Sequence, residues 1–210
     1  MLSLDCVSKD YDFLPILDNV TLTLRLGHYY VLTAPNGSGK STLLQIMAGI
    51  MKPTQGVVRW DGKPFSTQHR SLIGVMLQSS FLFGDLSGIE NLNLYATLYG
   101  LQSSKTVVED AIRFSGLKES SDYRVRDYSK GMQQRLSFAR ALLHAPRVLL
   151  LDEPFDGLDV ETANRFKRKL LELVHERGTT VFMVTHQEAD TVDAQTRLTL
   201  RHGFVKEVSS

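Results

Sequence analysis

The chain has 210 residues and a formal net charge of +1, with 42% hydrophobic and 22% charged residues. That length suffices for one domain with a substantial apolar interior, and the composition excludes a disordered or collagen-like chain. A charge so close to balance offers no broad field for phosphate backbones, so no nucleic-acid partner is expected. The sequence lacks a run of about 18 apolar residues and a basic start followed by an apolar stretch, so neither a spanning helix nor a signal peptide is predicted. The single cysteine, Cys6, lies in an apolar-alternating stretch and reads as a small buried hydrophobe in a reducing compartment.

Leu2 to Val7 and Val20 to Leu26 alternate apolar with polar residues as half-buried strands do, and Asp18-Asn19 supplies a turn before the second. Tyr29 to Thr33 reads as a buried strand, followed at once by a loop from Ala34 to Gly39 and a helix from Lys40 that stops near Gly49. Gly56 to Gly62 resembles a strand entering a turn, and Ile73 to Leu77 a further strand. Between Gly88 and Leu143 the apolar residues recur at helical spacing: Leu92, Tyr95, Leu98 and Tyr99, then Val107, Val108, Ala111 and Ile112. Strands return at Val148 to Leu151 and Thr179 to Thr185. Between them lies a helix striped by Phe166, Leu170, Leu173 and Val174, whose run Arg165, Lys167, Arg168, Lys169 reads as a solvated face. Strands alternating with helices imply a parallel sheet covered on both faces.

Three stretches carry chemistry. Ala34-Pro35-Asn36-Gly37-Ser38-Gly39-Lys40-Ser41-Thr42 follows a strand and opens a helix, the context of a phosphate-binding loop. Its glycines let backbone N–H groups turn inward, the helix end adds a positive dipole, Lys40 neutralises outer phosphates and Ser41 offers a hydroxyl to Mg²⁺. The opening glycine of that motif is Ala34 here, and its methyl is tolerated wherever the backbone angles are ordinary. Val148 to Leu151 then ends in Asp152-Glu153, adjacent carboxylates that a strand points in different directions. Asp152 is placed to hold the Mg²⁺ hydration shell, and Glu153 to orient the attacking water as its base. The third stretch is Tyr128-Ser129-Lys130-Gly131-Met132-Gln133-Gln134-Arg135, one helix length ahead of the acidic strand.

That third stretch resembles the signature segment of ABC ATPases, whose preferred form is Leu-Ser-Gly-Gly-Gln. Ser129 and Gly131 match it, while Tyr128, Lys130 and Met132 depart from it. Other elements of the family follow in order: Gln78 resembles the Q-loop, where it serves catalysis and Mg²⁺, and Asp156-Gly157-Leu158-Asp159 resembles the D-loop. His186 resembles the switch histidine and Tyr11 the aromatic that stacks on adenine. The resemblance runs from Tyr11 to about Gly203. It implies an α/β P-loop NTPase core with a mainly parallel sheet flanked by helices, an antiparallel β subdomain and an inserted helical subdomain. Residues 1–86 and 145–210 would form the core, and residues 87–144 the helical part. It implies that Asn36 to Thr42, Tyr11, Ser129, Gly131 and Asp159 bind ATP, and that Ser41, Gln78 and Asp152 serve Mg²⁺. Lys40, Gln78, Glu153 and His186 would carry the hydrolysis.

Partners follow from the same resemblance: a second ATPase cassette, identical or not, and integral membrane subunits, with the chain on the cytoplasmic face. The segment Phe81, Leu82, Phe83, Leu86 reads either as the surface for a membrane partner or as a buried satellite core. An exporter ATPase is the leading expectation. Leu151-Asp152-Glu153-Pro154-Phe155 with Thr185-His186-Gln187 also resembles the ATPase of cytochrome c maturation haem exporters. A soluble ABC ATPase of translation or DNA repair, and a nucleotide-binding regulator with little turnover, are the remaining readings.

Overall fold

The computed structural model describes residues 1–12, 14–78, 80–102 and 104–208. Two sheets carry the fold. The first is antiparallel, in the order β2 (Leu14–Thr23), β1 (Leu2–Tyr11), β4 (Gln55–Trp60), β5 (Lys63–Pro64). The second has six strands in the order β10 (Phe204–Glu207), β9 (Thr196–Arg201), β3 (Tyr29–Thr33), β8 (Thr180–Thr185), β7 (Val148–Asp152), β6 (Ile73–Met76). Strands β9, β3, β8, β7 and β6 run parallel, and β10 pairs antiparallel with β9.

Side chains leave a strand on alternate faces, and the large sheet is buried on both. Tyr30, Leu32, Val148, Leu150, Phe182 and Val184 point to one face, where they share a core with Leu43, Leu44, Ile46 and Met47 of helix α1 (Lys40–Met47) and with Leu2, Leu4 and Val7 of β1. Tyr29, Val31, Leu149, Leu151, Val181 and Met183 point to the other face. There they meet Phe166, Leu170, Leu173 and Val174 of α5 (Val160–Arg177), the stripe read from the sequence. A third core joins α2 (Gly88–Leu98), α3 (Ser104–Ser115) and α4 (Lys130–Leu142) through Leu92, Ala96, Val108, Ile112 and Leu136. Helix α2 starts on a capping box, in which Ser87 accepts from the Glu90 N–H and Glu90 accepts from the Ser87 N–H.

Several local expectations are corrected. Asp18-Asn19 is not a turn: β2 runs through it, and Asn19, at φ 49, forms a bulge whose N–H donates to Ser8 Oγ at 2.9 Å. Cys6, at φ 48, forms a compensating bulge on β1 and is exposed, not a buried hydrophobe. Asparagine tolerates left-handed angles, so a turn residue inside a strand marks a bulge as readily as a chain reversal. β2 accordingly begins six residues earlier than expected, at Leu14, and ends at Thr23. Within the stretch expected to be helical, Phe138 and Ala141 of α4 pack in the core of the main sheet. Beyond Thr185, where no element is predicted, the hairpin β9–β10 closes the sheet edge, with Leu198 and Leu200 buried beside β3. Arg165 departs from a purely solvated face, since its Nε and Nη2 are buried, without a hydrogen-bond partner among the described residues.

Candidate functional site

The site forms where the C-terminal ends of β3, β7 and β8 meet the N-terminus of α1. Binding sites of open α/β sheets are built at this carboxyl edge. The loop after β3 turns through Gly37 at φ 76 and Gly39 at φ 99. A Cβ on Gly39 would stand 2.8 Å from Ile16 Cγ2, so this position admits no side chain. Lys40 is buried, with 5% of its surface exposed. Its ammonium donates to Ala34 O at 2.9 Å, Pro35 O at 3.1 Å and Asn36 Oδ1 at 3.3 Å, and stands 3.8 Å from Glu153 Oε1. The loop thus folds around its own lysine.

Tyr11, Asn36, Gly37, Gly39, Lys40, Ser41, Thr42 and Gln78 line one cavity of about 450 Å³, which brings together residues predicted from three separate parts of the chain. Ser38 stands apart from that cavity, with its hydroxyl buried and without a partner among the described residues. The Tyr11 hydroxyl donates to Met51 Sδ at 3.1 Å, which ties the aromatic to the region after α1.

The acidic pair divides as a strand end requires. Asp152, 2% exposed, accepts from Ser41 Oγ at 2.7 Å through Oδ2, while its Oδ1 is buried with no hydrogen-bond partner among the described residues. Burial pushes the Asp152 carboxyl above the usual carboxylate range; the Ser41 hydrogen bond pulls it down, the Glu153 charge adds to the rise, and Lys40 opposes it. An orphaned buried carboxylate oxygen beside a serine hydroxyl offers the hard oxygens that suit Mg²⁺: Ser41 would meet the ion and Asp152 would hold its hydration shell.

Glu153 leaves the strand at φ 50, a left-handed angle that is costly for a side-chain-bearing residue. Its Oε1 lies 2.9 Å from His186 Nδ1, and its Oε2 accepts from the His186 N–H at 3.3 Å. Lys40, Glu153 and His186 therefore form one chain of contacts across the ends of three elements. A support beneath His186 has no counterpart in the predicted site. Thr185 Oγ1 donates to Asp190 Oδ2 at 3.2 Å and accepts from the Gln187 N–H at 3.1 Å, and Lys167 of α5 pairs with Asp190 Oδ1 at 2.8 Å. Its only sequence signal is an acidic residue four places after the histidine, too common to single out.

The remaining predicted residues lie elsewhere in the chain. Ser129 caps α4, its Oγ accepting from the Met132 N–H at 3.3 Å, and Gly131 lies against the carbonyl of Gly157. Asp159 caps α5 by accepting from the Thr162 N–H at 2.8 Å, and that hydrogen bond holds its carboxyl below the usual range. Among the described residues, no hydrogen bond or ion pair joins Ser129, Gly131 or Asp159 to the phosphate loop.

Residues 17–156 match the family described as ABC transporter. The chain belongs to that family. It is 34% identical to a lipoprotein-releasing system ATP-binding protein of Chlorobium chlorochromatii, over 98% of this chain and 90% of that one. It is 33% identical to a spermidine/putrescine import ATP-binding protein of Mesoplasma florum, over 100% of this chain and 61% of the relative. Against a bacitracin transport ATP-binding protein of Enterococcus faecalis it is 35% identical, over 86% of this chain and 59% of the relative. The chain thus spans about three fifths of the length of the last two relatives. A solved dimeric ATP-binding cassette, in a post-hydrolysis state bound to ADP and Pi, superposes with a TM-score of 0.92 at 27% identity, covering all of both chains. The ABC cassette fold read from the sequence, with its parallel core, antiparallel part and helical part, is the fold found.

Proposed function

We infer that this chain binds and hydrolyses ATP with Mg²⁺ as one of two cassettes of an ABC transporter, on the cytoplasmic face of membrane-spanning partners. The contact chain Lys40–Glu153–His186 beside the Ser41–Asp152 pair carries this reading. A lysine at the phosphate loop, a magnesium-type carboxylate and a base held by a histidine form the constellation that phosphoryl transfer to water requires. The loop amides and Lys40 orient the phosphates, and Gln78 reaches the same cavity from the end of β6. Ser41 and Asp152 would hold Mg²⁺, which supplies neutralisation of phosphate charge when bound. Glu153 aligns a water and accepts its proton, and His186 keeps the carboxylate aimed.

Ser129 and Gly131 stand at the amino end of α4 and Asp159 at that of α5, both away from the phosphate loop of their own chain. They serve ATP in this reading when a second cassette presents them, and the dimeric form of the solved neighbour supports that arrangement. Around Phe81 the two predicted alternatives divide. Phe81 and Phe83 are exposed, whereas Leu82 packs against the helical core. A cavity of about 350 Å³ lined by Ile50, Phe81, Tyr95, Leu98, Tyr99 and Arg140 is the place for a membrane subunit to dock. The relatives' transport functions favour this reading over translation or DNA repair. Export is the direction we propose from the exporter-type segment Tyr128 to Met132.

The test is Glu153→Gln in the full chain. Loss of a positioned base costs about 10²- to 10⁴-fold in rate. ATP binding is expected to persist, with turnover reduced by that factor and an ATP-dependent dimer accumulating on size-exclusion chromatography. Turnover at the parent rate removes the reading.

A further inference from the structure

The backbone of Glu153 is held from an unexpected direction. Its N–H donates to Val184 O at 2.9 Å, as the edge of β7 beside β8 requires. Its carbonyl accepts from Gln134 Nε2 at 2.8 Å, in addition to a longer bond from the Asp156 N–H at 3.2 Å. Gln134 belongs to α4, the helix that starts on Ser129. The same helix end touches the same loop twice more: Lys130 Nζ pairs with Asp156 Oδ2 at 2.7 Å, and a Cβ on Gly131 would stand 3.1 Å from Gly157 O. The first turns of α4 and the loop 153–157 therefore meet at three places.

We propose that Gln134 is a positioning residue for Glu153. Its amide N–H fixes the Glu153 carbonyl and so maintains the left-handed angle that turns this carboxylate toward Lys40 and His186, while Asp152 stays on Ser41. Only a donor can serve, because a carbonyl oxygen has nothing to donate. Relaxation to ordinary strand angles would redirect the side chain, since successive residues of a strand alternate in direction. The proposal rests on reading Glu153 as the base, and it ties the Ser129 end of α4 to the base of its own chain.

The experiment compares Gln134→Met, which keeps the shape and removes the donor, with Gln134→Lys, which restores a donor, in the full-length protein. Steady-state ATP hydrolysis, affinity for a fluorescent ATP analogue and thermal melting are read in parallel. Misplacing a reacting group by about 1 Å costs up to about 10²-fold in rate. Gln134→Met should therefore lower kcat about 10- to 100-fold with KM and nucleotide affinity within about threefold, and Gln134→Lys should recover most of it. If the methionine variant does not fold, Gln134→Glu, polar and without a donor when ionised, takes its place with the same expected loss. Parent-level kcat in the donorless variant, or a loss matched by equal loss of nucleotide affinity, or no recovery with lysine, overturns the proposal. Glu153→Gln separates the two claims. If it abolishes turnover while Gln134→Met does not slow it, only the role of Gln134 fails; if it leaves turnover intact, the base assignment fails with it.

Discussion

The ammonium of Lys40 donates to the backbone carbonyl of Ala34 at 2.9 Å. What the loop asks of its first residue is thus a carbonyl oxygen, and Ala34 supplies it at a negative φ with its methyl buried in the core between the two sheets. A glycine there would remove that methyl and loosen the unfolded chain. Ala34→Gly is accordingly expected to leave ATP affinity within about threefold while lowering stability by about 1 kcal/mol. Lys40→Met removes a charge-assisted donor and should weaken ATP binding about 10- to 100-fold. Titration with a fluorescent nucleotide, alongside urea unfolding, checks both. Comparable losses of affinity in the two variants would contradict this division of labour.

Asp152 offers a cleaner probe of the metal. Asparagine at this position can still accept from Ser41 Oγ, so the local hydrogen bond survives while the charge beside the orphaned oxygen is lost. The Mg²⁺ concentration for half-maximal hydrolysis should rise about 10- to 100-fold in Asp152→Asn, as for loss of an outer-shell ligand partner. An unchanged Mg²⁺ titration curve would count against the assignment.

His144 sets a pH dependence of stability far from the phosphate loop. Its ring stacks on Tyr99 at 3.9 Å, its Nε2 lies 3.2 Å from Ile73 O, and its Nδ1 is buried with no partner among the described residues. Burial, reinforced by the charge of Arg140, outweighs the Ile73 hydrogen bond and brings its pKa down to about 4 from 6.5. With the folded value depressed, the unfolded chain binds more protons between those two values. Stability is therefore full above about pH 6.5 and falls as pH drops toward 4, by up to about 1.4 kcal/mol per pH unit from this group. His144→Gln keeps a donor for Ile73 and cannot be protonated. Its stability relative to the parent should improve between pH 7 and pH 5 in urea unfolding; a constant difference would show that His144 does not titrate as described.

Phe166 stacks on Phe138 with ring centroids 4.2 Å apart and on Phe114 at 5.4 Å, and it is 0% exposed. It joins α5 to α4 and, through Phe114, to α3. Phe166→Ala should cost about 3 to 5 kcal/mol, read as a lower urea midpoint. Turnover per folded molecule is expected to fall as well, because α4 carries the contacts to the Glu153 loop.

The parts of the site that could be read from the sequence are those whose chemistry is local. A strand, a glycine-bearing turn and a helix opening on Lys40 lie within a dozen residues, and the geometry of each is dictated by its neighbours. Asp18-Asn19 shows the limit of local reading, since the same two residues that could reverse a chain instead bulge within β2. Gln134 and Asp190 escaped for a different reason. Their partners, Glu153 and Lys167, are 19 and 23 positions away along the chain, and no periodicity links a side-chain amide to a distant carbonyl.

What the residues alone determined was the inventory: a glycine-bearing loop opening a helix on Lys40, two carboxylates at a buried strand end and a histidine after the next strand. What only the folded chain decided was their aim. The parallel register of β3, β8 and β7 brings Thr33, Thr185 and Asp152 to one edge of the sheet, and there Lys40, Glu153 and His186 come within reach of one another. Hydrogen-bonded register joins β3 to β8 and β8 to β7 across long stretches of intervening chain, so the direction of each side chain is set by packing and not by its neighbours in sequence.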